Sequence, residues 1–420
     1  MNLKFLKRNE FAKNALTLTI GTSVAQFLPF LFYPILGRIF SPDDFGLLAT
    51  ISSITAICVT LSTGKYEFSI LIAESKQDAA NIIGLVLLIS FSFCLLLLVF
   101  FFLLSSQFSV WFNTPALERW VFIIPFSVFS IVIYNCYNEW CVRNKYFKSL
   151  SWNKIINASA IASSKLIFGL LNFLNGGLIL GDLLGRLISA FGCVFRALHK
   201  DKEVFLKISL SSIKKLAYRY SNFPKFNLPA QLLNTIGGQL PIILIGVFFD
   251  RTQVGYYSMT ASILSVPISV ISLAIRDTFR QRAYEDYTKK GECRNLYVKT
   301  FKPLFYITAI ATLSVYFFLP KLFLFVLGSQ WETAGVYSQI LLPMIALSFL
   351  SNSLGGVLIV TEKLKISMYW QIYYVSIIFI SLYLSSTFSQ DIKIVLLFYS
   401  LGLSTAYIIQ MILSYKYAKK

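Results

Sequence analysis

Long apolar segments alternate with short polar ones along the whole chain. A window of about 20 residues, the length of helix that crosses a bilayer, marks the segments that are apolar enough to span a membrane. These predicted spans are residues 15–37, 46–72, 80–104, 120–142, 155–173, 177–196, 226–249, 254–275, 303–320, 335–359, 366–386 and 392–414. The pattern therefore predicts an all-α membrane protein with twelve transmembrane helices.

The two halves of the chain contain a short sequence repeat. The run from Thr22 to Pro29 matches the run from Thr235 to Pro241, with the first pair, Thr22 and Thr235, at an offset of 213 residues. Phe40 to Gly46 matches Phe249 to Gly255 at an offset of 209. Internal repeats of half a chain are typical of transporter folds, and six spans in each copy make the copies parallel. We therefore expect two parallel copies of six helices each, an N-terminal and a C-terminal lobe.

The segment between the expected lobes is basic and amphipathic. Apolar residues such as Ile208 and Ile213 alternate there with Lys207 and Lys214. This pattern is typical of a helix that lies on an anionic membrane surface, although it also suits a partner-binding helix. The expected divisions are an N-terminal lobe (1–196), a cytoplasmic linker (197–225) and a C-terminal lobe (226–420).

Positive charge is unevenly distributed between the two sides of the predicted membrane. Of the 38 Lys and Arg residues, 30 lie on the side of the termini, 5 on the opposite side and 3 within spans. The positive-inside rule then places both termini in the cytoplasm. The net charge of +19 is clustered in loops between apolar segments, so we expect contact with membrane lipids and no nucleic-acid partner.

Composition supports the membrane assignment and narrows the chemistry. The chain is 56% hydrophobic and 14% charged, with a mean hydropathy of +0.67, which is more apolar than soluble proteins. The six cysteines form no CxxC pair and His199 is the only histidine, so no metal or cofactor is expected. The predicted outer loops are too short for an external catalytic domain, so we do not expect an enzyme.

Charged residues within the predicted spans are candidate functional residues because charge is costly in lipid. Lys65 and Glu67 lie near the cytoplasmic end of the second span, either as a gate to a transport path or as side chains that extend to the interface. On a continuous helix they would point about 200° apart and could not pair. Arg276, which ends the eighth span, is expected at a comparable depth.

Two further cations lie near the middle of spans. Arg186 follows Asp182 by four residues, which is the spacing of a favourable helical ion pair. That pair is either a self-neutralised structural bridge or part of a site. Lys165 has no such local partner, and it is either an anion-binding residue or one half of an interhelical bridge.

Amide side chains mark the predicted inward faces of the first and seventh spans. Gln26 lies one turn after Thr22 in the first, and Asn234 and Gln239 share a face with Thr235 in the seventh. These faces either line a common cavity or form interhelical hydrogen bonds.

Several short runs together resemble one protein family, the polysaccharide biosynthesis flippases of the Wzx type. The resemblance extends over nearly the whole chain, and it depends on the order of the runs rather than on any single one. Family members commonly have Arg at the position of Lys65. The runs that carry the resemblance are Gly21–Phe30, Phe40–Leu48, Lys65-Tyr-Glu67, Ser221–Lys225, Gln239-Leu-Pro241, Val254–Ser258, Leu264–Ile268 and Gly328-Ser-Gln-Trp-Glu332 with Ala334.

This resemblance implies the fold of the multidrug/oligosaccharidyl-lipid/polysaccharide exporter superfamily, with two pseudo-symmetric six-helix lobes around a central cavity. It implies an ion-coupled antiporter that carries an undecaprenyl-diphosphate-linked oligosaccharide, such as an O-antigen unit of lipopolysaccharide, across the bacterial inner membrane by alternating access. A polysaccharide polymerase would be a further partner. In this hypothesis Lys165, Arg186 and Lys65 bind the diphosphate, and Arg276 helps to recruit it. The sugars of the cargo face Gln26, Asn234 and Gln239. Glu67 and Asp182 are candidates for ion coupling.

Other protein classes fit the sequence less well. A drug or small-molecule exporter of the same superfamily would favour acidic charges in its cavity, whereas the charges within these spans are mostly basic. An integral-membrane polysaccharide polymerase or ligase would be expected to carry a large outer loop. A structural scaffold would not need cations in the membrane.

Overall fold

The computed structural model describes residues 3–174 and 176–419, and it describes side chains from Thr17 onward except those of Asn175, Leu364 and Lys420. This part of the chain is helical and contains no strand. The helices are α1 (Leu3–Ile39), α2 (Pro42–Ser62), α3 (Ser69–Ile72), α4 (Lys76–Trp111), α5 (Leu117–Trp120), α6 (Ile124–Arg143), α7 (Phe147–Leu170), α8 (Gly177–Leu206), α9 (Leu210–Arg219), α10 (Leu228–Phe248), α11 (Arg251–Lys290), α12 (Arg294–Tyr316), α13 (Leu319–Leu327), α14 (Glu332–Leu354), α15 (Val357–Val360), α16 (Leu364–Phe388) and α17 (Ile392–Tyr417).

The multi-pass membrane character is confirmed, whereas the number of twelve spans is not. Among the described residues, ten helices are long and apolar enough to cross a membrane, or eleven if the bent pair α12 and α13 forms one span. The fifth predicted span coincides with α7, a 24-residue helix that falls outside this set. Twelve spans therefore remain a prediction.

Two compact units make up the chain. Unit 1 comprises residues 1–40 and 47–239, and unit 2 comprises residues 41–46 and 240–420. The short segment Ser41–Gly46, which contains the first turn of α2, thus belongs with the C-terminal unit.

The second predicted span, 46–72, is wrong as a continuous helix. α2 ends at Ser62, and Gly64 and Lys65 then adopt positive φ values of 55° and 60°. A left-handed conformation cannot continue a right-handed helix, and it is least strained at glycine. The chain turns there and continues as a short 3-10 helix, Tyr66–Phe68, and as α3.

Within unit 2, the two copies of the predicted repeat contact each other. The first turn of α2 crosses the first turn of α11 so closely that a Cβ atom on Gly46 would lie 1.8 Å from the carbonyl oxygen of Arg251. Reciprocally, a Cβ atom on Gly255 would lie 1.8 Å from the carbonyl oxygen of Pro42. Equivalent positions are 209 residues apart, so the contact has the symmetry expected of a repeat.

Polar and aromatic contacts surround this helix crossing. Asp43 forms an ion pair with Arg251 and accepts a hydrogen bond of 2.6 Å from the Thr252 hydroxyl. The Phe45 ring packs edge-on against the fully buried Trp331, at 5.3 Å between ring centroids. The Trp of the Gly-Ser-Gln-Trp-Glu run therefore anchors the segment Ser41–Gly46.

Asp201, a carboxylate of the linker, binds the linker to the other helices of unit 1. α8 bends at Asp201, whose backbone is not helical. The buried Asp201 side chain accepts hydrogen bonds of 2.6 Å from Lys76 Nζ and 2.9 Å from Trp140 Nε1. Beyond this bend, Arg219 of α9 forms an ion pair with Glu74. The hydrogen bond and the charge of Arg219 hold the pKa of the Glu74 carboxyl below its usual range.

Replacing Asp201 with Ala is expected to release the linker. Trp140 Nε1 would lose its acceptor and Lys76 its counter-ion, and losing hydrogen bonds of this kind makes local opening about tenfold more frequent. Because the linker is rich in Lys and Arg, limited trypsin digestion measures this opening. Glu203 is an exposed carboxylate on the same segment, and Glu203→Ala should be cleaved at the wild-type rate. Equal rates for both variants would contradict the proposed anchoring role.

Candidate functional site

A three-residue ion cluster joins α7 and α8 in unit 1. The Asp182 carboxylate accepts from Lys165 Nζ through one oxygen at 2.8 Å and from Arg186 Nε through the other at 2.5 Å. The side chains are 14%, 12% and 24% exposed for Lys165, Asp182 and Arg186. Two cations share one anion, so the cluster carries a surplus of one positive charge.

Small residues bring these two helices close enough for the cluster to form. A Cβ atom on Gly181 would lie 2.6 Å from the Lys165 Cα, and one on Gly185 would lie 2.4 Å from the Ile161 Cα. Interfaces of this kind allow helix backbones to approach closely in membranes. The backbone of Lys165 thus lies against α8, and its side chain reaches Asp182.

Lys165 forms the interhelical bridge that was one of its two alternatives. Its partner is Asp182, on the neighbouring helix and 17 positions away in sequence. Anion binding by Lys165 stays a prediction, since the bridge leaves the cluster with a surplus positive charge. The predicted helical pair of Asp182 and Arg186 forms as expected.

A small cleft opens beside the ion cluster. Asp182 and Arg186 line it together with hydroxyl groups of Ser52, Thr55 and Ser127. Its space is close to that of a single water molecule. The cluster is therefore accessible to a small polar group from this direction, but the cleft does not hold a sugar.

Lys65 and Glu67 form a pair, contrary to the helical expectation. Lys65 Nζ lies 3.3 Å from Glu67 Oε1, and the two residues are 8% and 6% exposed. Positive φ at Gly64 and Lys65 removes the helical geometry that would separate them. Between them, the Tyr66 hydroxyl donates to the Ala217 carbonyl at 3.0 Å, which joins this turn to the linker helix α9.

The second oxygen of Glu67 is unusual. Oε2 is buried and has no hydrogen-bond partner among the residues that the structure describes. A buried carboxylate oxygen without a donor is costly unless it binds a proton, a cation or water. Glu139 on α6 interacts electrostatically with Glu67, so a second carboxyl group lies in the surroundings of this oxygen.

The remaining predicted residues are distributed over both units. Gln26 on α1 and Asn234 on α10 are exposed, and Gln239 is the last residue of unit 1 before unit 2 resumes. Arg276 is exposed on α11 in unit 2. On the polar face of α10, Thr235 lies 3.1 Å from the Thr60 hydroxyl, so this part of the face forms an interhelical hydrogen bond.

Lys154 is a further cation of this helix bundle. It precedes the predicted fifth span (155–173) by one residue, but it lies inside α7, where its Nζ donates to the Thr22 hydroxyl of α1 at 2.8 Å. Its spacing of eleven residues from Lys165 could have identified it, because eleven residues are close to three full helical turns.

A family of known proteins matches most of this chain. A sequence profile of the family described as polysaccharide biosynthesis protein matches residues 35–335. No curated protein matches the sequence significantly.

Solved structures similar to this chain are membrane transporters. The lipid II flippase MurJ in an inward closed conformation aligns with a TM-score of 0.74 at 12% identity, over 96% of this chain and 87% of MurJ. The MATE multidrug transporter DinF-BH, in complex with a ligand, aligns with a TM-score of 0.64 at 16% identity, over 96% and 94%. A MOP superfamily transporter from Pyrococcus furiosus aligns with a TM-score of 0.55 at 14% identity, over 97% of this chain and 95% of that transporter.

Proposed function

Because the chain belongs to the family of polysaccharide biosynthesis proteins, we propose that it translocates a lipid-linked oligosaccharide across a membrane. The cargo class is an oligosaccharide on a polyprenyl diphosphate, such as undecaprenyl diphosphate, which carries O-antigen and other surface polysaccharide units. The membrane is the bacterial inner membrane, with both termini in the cytoplasm. Membrane lipids and a polysaccharide polymerase are the proposed partners.

The observation that carries this proposal is the surplus positive charge of the Lys165, Asp182 and Arg186 cluster. A diphosphate needs cations to leave water, whereas its polyprenyl tail can remain in lipid. A cluster with two cations and one carboxylate can bind an anion and still keep a counter-ion when the anion leaves. The charge balance therefore suits transient binding of phosphate.

The Lys65 and Glu67 turn supports coupling of transport to an ion. The unpartnered Oε2 of Glu67 offers a place for a proton, and Lys65 could release Glu67 when an anionic cargo approaches. Asp182 is a weaker candidate because both of its oxygens are already bonded to cations. Arg276, Gln26, Asn234 and Gln239 retain the proposed roles in recruitment and in sugar contact.

Transport in proteoliposomes tests the proposal. Purified protein should move a polyprenyl-diphosphate-linked oligosaccharide between leaflets, which digestion of the exposed sugar by an added glycosidase measures. A pH gradient should accelerate the movement, and Glu67→Gln should remove most of that acceleration. Movement at the rate of empty liposomes would contradict the proposal.

A drug exporter is the second candidate, because one similar structure is a multidrug transporter with a ligand bound. A fluorescent, lipophilic organic cation is the matched counter-cargo in the same proteoliposomes. Uptake of this dye without movement of the oligosaccharide would favour the drug exporter. The surplus positive charge of the α7 and α8 cluster argues against a cationic cargo.

A further inference from the structure

Lys154 is a cation within a helix bundle, and its hydrogen-bond partner is a neutral hydroxyl group. Its Nζ donates to the Thr22 hydroxyl at 2.8 Å, and the side chain is partly buried between α7 and α1. Among the ion pairs of the described residues, none includes Lys154. Within the part of the chain whose side chains are described, no carboxylate in direct contact therefore compensates its positive charge.

Tight packing fixes the position of this side chain. Ser151, three residues earlier on α7, donates from its hydroxyl to the Thr17 carbonyl of α1 at 3.0 Å. A Cβ atom on Gly21 would lie 2.5 Å from the Ser151 Cβ. α1 and α7 thus touch through small residues one turn before Lys154, so Lys154 and Thr22 lie opposite each other on packed helices.

Lys154 and Lys165 lie on the same face of α7. Eleven residues separate them, which corresponds to about 16 Å along the helix axis and about 20° around it. The two lysines differ in their partners, because Lys165 is bound to Asp182 whereas Lys154 is bound to a hydroxyl. An anion would meet less competition at Lys154 than at Lys165.

We propose that Lys154 and Thr22 form a phosphate-binding point for the diphosphate of the cargo. The Lys154 ammonium has two hydrogens beyond the one it donates to Thr22, and the Thr22 oxygen accepts that bond, so its own hydrogen remains able to donate. An ammonium beside a hydroxyl is a suitable pair of donors for a phosphate oxygen. This inference depends on the proposed function.

The position of Lys154 gives the proposed path two steps. Lys154 lies in the first third of α7, on the side that the charge distribution predicts to be cytoplasmic, and the Lys165 cluster lies deeper. The separation of about 16 Å is roughly half the hydrocarbon thickness of a bilayer. A phosphate that passes from Lys154 to the cluster would remain near positive charge during entry.

Binding of farnesyl diphosphate to the purified full-length protein in detergent tests the proposal, with farnesol as the uncharged comparison. Lys154→Gln can still donate a hydrogen bond to Thr22 but has no charge, and we expect it to bind the diphosphate at least about tenfold more weakly. Lys154→Arg keeps the charge and should stay within about threefold of wild type. Lys148→Gln changes an exposed lysine on the same helix and should bind as wild type does.

The outcomes separate this inference from the proposed function. If wild type and Lys154→Gln bind farnesyl diphosphate equally, the role of Lys154 is wrong and the proposed function stands. If wild type binds farnesyl diphosphate no better than farnesol, both are wrong. If Lys154→Gln does not fold, Thr22→Val takes its place as the test of the site. Loss of the hydroxyl should weaken diphosphate binding by about threefold. Unchanged binding by Thr22→Val would overturn the site.

Discussion

Replacing Asp182 with Ala is expected to destabilise unit 1 by about 3 to 5 kcal/mol, because two buried cations would lose their shared counter-ion. Lys165 and Arg186 would then repel each other in a place where each is at most a quarter exposed. Thermal unfolding in detergent measures the loss. Asp277 on α11 is exposed, and Asp277→Ala is the control, expected to unfold at the wild-type temperature.

Removing all three charges of the cluster separates its structural role from its proposed functional role. A buried ion triad can often be replaced by apolar residues of similar volume without loss of stability. Lys165→Met, Asp182→Leu and Arg186→Met combined should therefore regain most of the stability that Asp182→Ala loses. The same triple variant should fail to move the oligosaccharide, because its surplus positive charge is gone.

Two results would contradict this account of the cluster. An Asp182→Ala protein as stable as wild type would show that water or another group already compensates Lys165 and Arg186. A stable triple variant with full transport would show that the cluster is structural only. The pair of measurements thus distinguishes the two alternatives that the sequence leaves open for Lys165.

Helix positions could be predicted from the sequence because apolar segments of bilayer length have few alternatives to a helix. The break after Ser62 could not, because the segment up to Ile72 remains apolar enough to suggest one span. The turn is a property of backbone angles at Gly64 and Lys65, and hydropathy does not report them. The pairing of Lys65 with Glu67 was missed for the same reason.

Contacts between helices are the second feature that could not be predicted from the sequence. Asp182 and Arg186 were predicted as a pair because one helix places them on one face. Lys165 reaches the same carboxylate only because Gly181 and Gly185 let α7 and α8 approach, and the sequence does not reveal which faces meet. Lys154 lies one residue before the predicted fifth span, so the hydropathy pattern alone does not place it within a helix of the bundle.

Replacing either Gly46 or Gly255 with Ala is expected to cost about 1 to 3 kcal/mol, because each new Cβ atom would overlap a backbone carbonyl of the other helix. A backbone oxygen at 1.8 Å cannot rotate away as a side chain can. The first turns of α2 and α11 must then separate, which also weakens the ion pair of Asp43 with Arg251. Thermal unfolding in detergent measures the cost.

Gly238 provides the matched control. It lies inside α10. Apart from the glycine, its two neighbours in sequence and the adjacent backbone of its own helix, no atom of the described residues lies within 4 Å of the position that a Cβ atom would take there. Gly238→Ala should be neutral or stabilise the helix by up to about 1 kcal/mol, because Ala has the higher helix propensity. A cost at Gly238 equal to that at Gly46 would show that glycine is needed for some reason other than close approach.

The double variant tests whether the two glycines form one contact. Once Gly46→Ala has separated the helix ends, the Cβ atom of Gly255→Ala meets a carbonyl that has already moved away. The destabilisation of the double variant should therefore be clearly smaller than the sum of the two single destabilisations. At independent sites the two would add within about 0.5 kcal/mol. Full additivity would contradict the reciprocal crossing, and with it the physical reason for a glycine at the same position in both copies of the repeat.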